Sequence, residues 1–361
     1  MIKRLLIANR GEIAIRVART AAALGVETVA VHTADDATSL HIKHADQVRV
    51  LPQAGVAGYL DIAALIAIAT DTGCDAVHPG YGLLSERADF ADACAAAGLI
   101  FVGPDGATLR RQGDKVSARA LAEDAGVPVL HGSDPLATAA ELHAFFDAQG
   151  GAPLMIKAVN GGGGRGMRIV RDAGDIDAAF AQARAETLAA FGDDQLYAER
   201  FLQSVRHIEV QIVGDGQDVT HLWERDCTVQ RRHQKVIELA PAPHLPNATR
   251  DGVLRAAVAI GRACDYRGLG TVEFLVEAGG AFYFIETNPR IQVEHPVTEA
   301  ITGLDLVALH LRIAEGAGLG LVQEDLRING HAVEARLYAE DPAMQFAPST
   351  GTLTTLSLPG G

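Results

Sequence analysis

One stretch restricts what this 361-residue chain can fold into more than any other: Phe282-Tyr283-Phe284-Ile285-Glu286-Thr287-Asn288-Pro289-Arg290-Ile291-Gln292-Val293-Glu294-His295-Pro296-Val297-Thr298-Glu299. It starts as an aromatic, apolar run of strand type. It then becomes a polar segment in which Glu286, Asn288, Arg290, Gln292 and Glu294 fall on every second residue. Alternate side chains of an extended chain share a face, so the spacing predicts carboxylates, an amide and a guanidinium presented together. Carboxylates with an amide suit a hard cation such as Mg²⁺, and an arginine beside them suits a small oxyanion. The competing reading is a solvated edge strand with paired charges. Ile285, Ile291 and Val293 on the other face favour a half-buried strand instead.

A chain of this length is too long for one core, so two or three domains are expected. Its hydrophobic share of 48% and charged share of 21% are those of an ordinary soluble globular protein. A formal net charge of −14 argues against broad binding to nucleic acid or an anionic membrane. It leaves room for a local basic pocket that takes an anionic substrate. Cys74, Cys94, Cys227 and Cys264 lie far apart without paired-ligand spacing, so neither disulfides nor a zinc site are expected, and a reducing cytoplasm is the default location. Lys3-Arg4 before Leu5-Leu6-Ile7 imitates a signal peptide, but the apolar run is short and leads into Asn9-Arg10-Gly11, which reads as a first strand and its turn. No stretch is long and apolar enough to span a membrane.

Along the chain, Lys3 to Ala8 reads as a strand, Glu12 to Leu24 as a helix stopped by Gly25, and Glu27 to His32 as a second strand. This opening predicts a doubly wound parallel sheet. Leu60 to Thr70 follows as a helix, and Ala76-Val77-His78 as a strand running into Pro79-Gly80-Tyr81-Gly82. Ligands of such sheets gather at the carboxyl ends of strands, where both turns would sit. Asn9-Arg10-Gly11-Glu12 lacks the glycine spacing of a nucleotide fingerprint, so an ordinary tight turn before a helix fits equally well. A domain boundary is expected between Pro104 and Pro135, with a helix from Lys115 to Ala125. A compact α+β piece comes next, with strands over Pro153 to Ala158, Met167 to Val170, Leu196 to Phe201 and Arg206 to Val213, and a helix over Asp175 to Ala190. The last region holds a helix from Thr249 to Cys264, a strand from Thr271 to Val276 and the stretch first described.

Three further segments carry chemistry. Asn160-Gly161-Gly162-Gly163-Gly164-Arg165-Gly166 lies between two strands. Successive glycines let backbone amides turn inward with no Cβ in the way, and such nests bind phosphate oxygens. The loop resembles a flap over a triphosphate rather than a P-loop, which opens a helix; a bare hairpin tip is the alternative. Lys157 on the entering strand is placed to meet a phosphate. Trp223-Glu224-Arg225-Asp226-Cys227-Thr228-Val229-Gln230-Arg231-Arg232-His233-Gln234-Lys235-Val236 packs donors tightly in an acidic chain, as a site for ribose, phosphate or a small anion, or as a charged surface loop. In Gly330-His331-Ala332-Val333-Glu334-Ala335-Arg336-Leu337-Tyr338, apolar and polar residues alternate as in a strand with one polar face.

These motifs together resemble the biotin carboxylase component of biotin-dependent carboxylases, a branch of the ATP-grasp superfamily. The matching runs are Ile7 to Ala14, His78 to Gly82, the Lys157 strand with its Gly161 to Met167 loop, Glu224 to Lys235, and Glu286 to Glu299. They cover nearly the whole chain. Glycine loops recur across ATP-grasp enzymes; Arg231-Arg232-His233-Gln234-Lys235 and Gln292-Val293-Glu294-His295-Pro296-Val297-Thr298-Glu299 are far more specific. The resemblance implies an ATP-grasp fold with an N-terminal Rossmann-like α/β domain over residues 1–115. Linker helices and the glycine-rich lid would occupy 116–203. The catalytic part and the start of an incomplete C-terminal domain would occupy 204–361.

The resemblance also implies roles. Lys115 and Lys157 would bind ATP phosphates, and Gly162, Gly163, Gly164, Arg165 and Gly166 would cover them. Glu199 to Leu202 would meet adenine, with Arg200 where lysine is common. His207, Gln230 and His233 would lie near ribose and phosphates. Glu273 and Glu286, supported by Asn288, would hold Mg²⁺ (or Mn²⁺). Lys235, Arg290, Gln292 and Val293 would line a bicarbonate site, Glu294 would remove the bicarbonate proton, and Arg336 would steady the biotin enolate. The implied reaction is ATP- and bicarbonate-dependent carboxylation of carrier-bound biotin through carboxyphosphate, as in acetyl-, propionyl- or methylcrotonyl-CoA carboxylase. Implied partners are a biotin carboxyl carrier protein or domain, a carboxyltransferase, and a second copy in a homodimer, with no nucleic acid and no membrane.

Two departures qualify the resemblance. The chain ends at Gly361, where the family continues its third domain, so a truncated chain is expected and the activity of the isolated piece is left open. No biotinylation motif is present, so the acceptor biotin is expected on another protein or beyond Gly361. The rivals are a carbamoyl-phosphate synthetase-like ligase, which would pass carboxyphosphate to ammonia, and a non-catalytic nucleotide-binding module.

Overall fold

A computed structural model describes residues 1–159, 166–232 and 234–349, with 351, 354, 355 and 357. Five strands form a parallel sheet in the order β3-β2-β1-β4-β5: β1 Arg4–Ile7, β2 Glu27–His32, β3 Gln47–Val50, β4 Ala76–His78 and β5 Ile100–Phe101. Leu5 and Ile7 of β1 join a core with Ile13, Val17 and Ala21 of the helix Gly11–Ala23. Leu6 and Ala8 point to the opposite core with Val29, Val31 and Leu65. Burial on both faces is what a parallel sheet requires, and it explains why β1 reads as a continuous apolar run. The helix expected from Leu60 begins at Ile62, because the Asp61 side chain accepts from Ala64 N and caps it.

The Asn9-Arg10-Gly11 turn proves to be a stitch. Asn9 Nδ2 donates to Pro79 O at 2.6 Å and to Tyr81 O at 2.8 Å, while its Oδ1 accepts from Arg10 N at 2.8 Å. Gly80 between them has φ +63°, and a Cβ there would lie 2.8 Å from Asn9 Nδ2. Only glycine meets both demands. The turn after β4 is thereby fixed at the carboxyl edge of the sheet.

A second, antiparallel sheet has the order β7-β6-β8: β6 Leu154–Ala158, β7 Arg168–Val170 and β8 Leu196–Arg200. It has its own core, in which Leu154, Ile156 and Leu196 meet Leu142 and Phe146 of the helix Ala139–Ala148 and Phe180 of the helix Ile176–Phe191. The third sheet is antiparallel, in the order β13-β12-β9-β10-β11-β14: β9 Arg206–Asp215, β10 Val219–Arg231, β11 Gln234–Ala240, β12 Arg267–Val276, β13 Phe282–Asn288 and β14 Ala332–Ala335. The helix Asn247–Ala263 packs on it through Val253, Ala257 and Ile260. Leu306, Val307 and Ile313 of the helix Leu306–Ala314 share one core with Val213 and Leu269 of this sheet and with Leu5 and Ile7 of the parallel sheet. That shared core holds the two sheets together.

Three expectations are corrected. The alternation from Glu286 to Glu294 is not one extended strand: β13 ends at Asn288, since Pro289 has no N–H to continue the ladder and Arg290 N bonds back to Asn288 O at 2.9 Å. Glu294 instead occupies the N-cap position of the helix His295–Thr302, its side chain free of the helix amides, with Pro296 in the first turn. For the Trp223 to Val236 segment the surface-loop alternative is excluded: Trp223 to Arg231 and Gln234 to Val236 belong to the paired strands β10 and β11. In the Gly330 to Tyr338 run, only Ala332–Ala335 is strand, at the sheet edge, and Arg336 lies just past it. The core of the glycine loop (Gly162, Gly163, Gly164, Arg165) and His233 lie outside the described residues.

Candidate active site

A cavity of about 630 Å³ opens between the six-stranded sheet, the three-stranded sheet and the turn after β4. Among the described residues, all of the expected site positions line it except Gly166. The register of β12 and β13 sets Glu273 opposite Glu286 and Thr271 opposite Asn288, so the two carboxylates share one face.

At the inner end, charges are paired without a gap. Lys235 from β11 bonds Glu209, Glu273 Oε1 at 3.0 Å and Glu294 Oε1 at 2.6 Å. Arg336 Nη2 donates to Glu294 Oε2 at 3.0 Å and its Nε to Glu238 Oε1 at 2.6 Å. Burial pushes the Glu294 carboxyl up, but Lys235, Arg225 and Arg336 outweigh it and hold it below its ordinary value. Glu273 behaves alike: Lys235 and His207, whose Nε2 lies 2.7 Å from Glu273 Oε2, overcome burial and lower it. Gln292 Nε2 and Asn288 Nδ2 both donate to Glu273 Oε1, at 3.1 and 3.0 Å. Arg290 Nη2 donates to Asn288 Oδ1 at 2.9 Å and its Nε to Glu86 Oε1 at 2.5 Å.

The outer end is less tightly wired. Lys157 of β6 pairs with Glu199 of β8, and that carboxylate raises the lysine despite burial. Lys115 Nζ lies 3.6 Å from Glu286 Oε2. Gln230 is held by a bond from its Nε2 to Cys227 O at 3.0 Å. Met155, Met167, Leu202, Leu275 and Ile285 give this end apolar walls, fit for a flat heterocycle. Glu273, Glu286 and the Asn288 carbonyl are hard oxygen donors on the same cavity wall, with Lys115 near Glu286, and this donor set fits Mg²⁺.

Four residues that hold the site were given no role from sequence: Arg225, Glu209, Glu238 and Glu86. Arg225 is wholly buried. It donates to Glu209 Oε1 at 2.5 Å, Gln211 Oε1 at 2.8 Å, Thr298 Oγ1 at 2.9 Å, Thr271 Oγ1 at 3.1 Å and Gln292 Oε1 at 3.1 Å. All five guanidinium N–H groups thus have acceptors. The bond to Gln292 Oε1 also fixes which way that amide faces. A usable signal did exist for Glu209, a charge between Ile208 and Val210 in a strand; Arg225, flanked by Glu224 and Asp226, offered none.

Comparison with known proteins assigns the class. Residues 1–109 match the family model "Biotin carboxylase, N-terminal domain", and residues 114–322 match "Carbamoyl-phosphate synthase L chain, ATP binding domain". The structure resembles the biotin carboxylase–βγ-ATP complex of Campylobacter jejuni, with TM-score 0.96 and 43% identity over 100% of this chain and 81% of that one. It is equally similar to the biotin carboxylase domain dimer of Hydrogenobacter thermophilus 2-oxoglutarate carboxylase with MgADP, ADP and bicarbonate, with TM-score 0.96 and 41% identity over 100% and 80%. The fold is that of the ATP-grasp class.

Within that class, the chain is 47% identical to the biotin carboxylase of Halalkalibacterium halodurans over 363 residues, all of this chain and 80% of the relative. The chain belongs to the biotin carboxylase family. It is also 49% identical to the mitochondrial pyruvate carboxylase of Mus musculus, over 98% of this chain, and spans 30% of that relative's length.

Proposed function

We propose that this chain carries out the first half-reaction of a biotin-dependent carboxylase, the ATP-driven carboxylation of biotin on a carrier protein or domain. The observation that carries this reading is Glu294, fixed between Lys235 and Arg336 beside the Gln292 and Arg290 donors. Its lowered pKa keeps it ionised at neutral pH, in the state that accepts a proton. Bicarbonate, bound by Lys235, Arg290, Gln292 and Val293, attacks the γ-phosphorus of ATP while its proton passes to Glu294 and ADP leaves. Lys115 and Lys157 neutralise the transferring phosphoryl. Glu273 and Glu286, with Asn288 in support, would hold Mg²⁺ (or Mn²⁺), which would supply charge neutralisation there. The carboxyphosphate so formed breaks down to carbon dioxide and phosphate, and phosphate takes the N1′ proton of biotin. Protonation of Glu294 weakens its pairing with Arg336, which frees that guanidinium to stabilise the biotin oxyanion. Biotin N1′ then attacks carbon dioxide.

The partners that follow are a biotin carboxyl carrier, a carboxyltransferase that passes the carboxyl group on, and a second copy of the chain, all in the cytoplasm. Among the described residues, no helix is long and apolar enough to cross a membrane. Titration of the intact protein with Mg-ATP, followed by turnover with bicarbonate, tests the reading. ADP release that rises with free biotin supports it. A rise with ammonia instead would favour a carbamoyl-phosphate-forming ligase, and nucleotide binding without turnover would favour a non-catalytic module.

A further inference from the structure

Behind Arg336 lies a pair of carboxylates that the half-reaction does not use. Glu238 of β11 and Glu334 of β14 are direct cross-strand partners, so their side chains stand side by side on one face. Ala240 and Ala332, two residues along on that same face, pack with Val297 and Ile301 of the helix His295–Thr302. The surroundings are therefore apolar. Glu238 is wholly buried; its Oε1 accepts from Arg336, and its Oε2 is buried without a partner. Glu334 Oε2 is likewise buried without a partner.

The groups facing Glu334 are Glu238 from β11, Glu294 at the start of the helix, Arg225 from β10 and Arg336 beyond its own strand. Both arginines are already committed: Arg225 to its five acceptors, and Arg336 to Glu238 and Glu294. Glu238, Glu294 and Glu334 thus lie around the Arg336 guanidinium, which is bonded to the first two, and among the described residues Glu334 has no cation of its own. Two adjacent carboxylates with one committed guanidinium between them disfavour the doubly ionised state. Burial first, then Glu238 and Glu294, push Glu334 up to about 7, and Glu238 is raised as well.

We propose that Glu334 carries a proton at neutral pH, shares it with Glu238 across the strand pair, and so acts as a positioning residue for Arg336. With the proton in place, Glu238 keeps one oxygen on Arg336 Nε and gives the other to Glu334. When the proton is lost, two anions compete for the guanidinium and draw it from the cavity. The link to Arg336 rests on the role given to that residue in biotin carboxylation; the shared proton does not.

The test has two readouts on the intact protein. Infrared difference spectra of wild type against Glu334→Gln should show the carbonyl stretch of a buried, un-ionised carboxyl at neutral pH, fading as pH rises through 7. Its absence at pH 6 overturns the shared proton. In turnover, wild-type biotin carboxylation should fall as pH rises through 7, while Glu334→Gln, a permanent donor, holds its rate across that range. Glu334→Ala should lose about tenfold in biotin-dependent kcat, roughly one hydrogen bond to a charged group, with the KM for ATP unchanged. A Glu334→Gln profile that falls as wild type does overturns the positioning role. A carboxyl band in a protein that does not carboxylate biotin would sink the proposed function and leave the shared proton standing.

Discussion

The two ends of the cavity are built on different plans. At the base end, Glu209, Arg225, Lys235 and Glu273 come from four adjacent strands of one sheet, and Glu294 completes the set from the neighbouring helix. Its buried charges answer one another. At the nucleotide end, Lys157 and Glu199 stand on a sheet with a core of its own. The connection to the rest includes single bridges such as Val129 to Phe284 and Gly132 to Glu199. The difference teaches where each task belongs. Proton transfer needs groups whose charges are settled before substrate arrives. Nucleotide capture is better served by a unit with a separate core, which shifts without repacking the other.

The contrast is tested hardest at Glu294. Glu294→Gln keeps the shape but removes the charge and the proton acceptor. Bicarbonate-dependent ATP hydrolysis should drop by about 10²- to 10⁴-fold, with Mg-ATP affinity unchanged. An unaffected rate would remove Glu294 as the base. Next comes Arg225→Met, which leaves the buried Glu209 with Lys235 as its one remaining cation and takes the donors from Gln211, Thr271, Thr298 and Gln292. The expected cost is roughly 3–5 kcal/mol in urea unfolding, and adding Glu209→Gln should recover most of it. If the single change costs under about 1 kcal/mol, the base end is not held together through Arg225.

These two residues also mark what the sequence makes legible. Glu294 stood out because polar residues recur every second position from Glu286, and Arg290 and Gln292 were found for the same reason, whereas its direct partners Lys235 and Arg336 were given their roles by the family resemblance. Yet the strand stops at Asn288, and Arg290, Gln292 and Glu294 converge through a turn and a helix start. The grouping survived although its stated cause did not. Arg225, Glu209 and Gln211 were missed for the opposite reason. The strand of Glu209 and Gln211 was expected, whereas the segment of Arg225 was read as a donor-rich anion site or a surface loop; and alternation tells which side chains share a face, not whether that face meets water or a buried charge. Here that face meets the helix His295–Thr302 and the cavity. The sheet orders brought Glu238 beneath Arg336, and no local pattern announces a pairing across 98 residues of chain.

On the nucleotide side the effects should be smaller and local. Lys157→Met removes the partner of Glu199 and the proposed phosphate ligand, a loss of roughly 1–3 kcal/mol. It should raise the KM for ATP with little change in the pH dependence of the base. Loss of hydrogen-exchange protection should stay within β6, β7 and β8. Loosened amides in β9 to β12 would mean that the two ends are one cooperative unit, and the comparison would fail.

The smallest effect near neutral pH separates the base end from the junction that supports it. His78 ends β4, and His310 lies in the helix Leu306–Ala314 with the two rings edge-on at 5.3 Å. Among the described residues, neither ring nitrogen of His310 has a hydrogen-bond partner, nor do the Nε2 atoms of His78 and His295. Burial holds His310 at about 3 and His295 at about 4, and puts His78 well below its ordinary value. Between those values and about 6.5, the unfolded chain binds more protons than the native one. Their stability contribution is therefore complete above about pH 6.5 and is lost as pH falls. The lowered carboxylates Glu294 and Glu273 act in a lower window: their contribution is complete above about pH 4.5 and declines only below it. Acidification should thus loosen the junction before the base end. The raised Glu334 and Glu238 pull the other way over the same range, so the readout is wild type against His310→Gln: the wild-type urea midpoint should slip relative to the variant slightly from pH 7.5 to 6 and more steeply towards pH 5. A difference that stays level to pH 5 would remove His310 from the acid response.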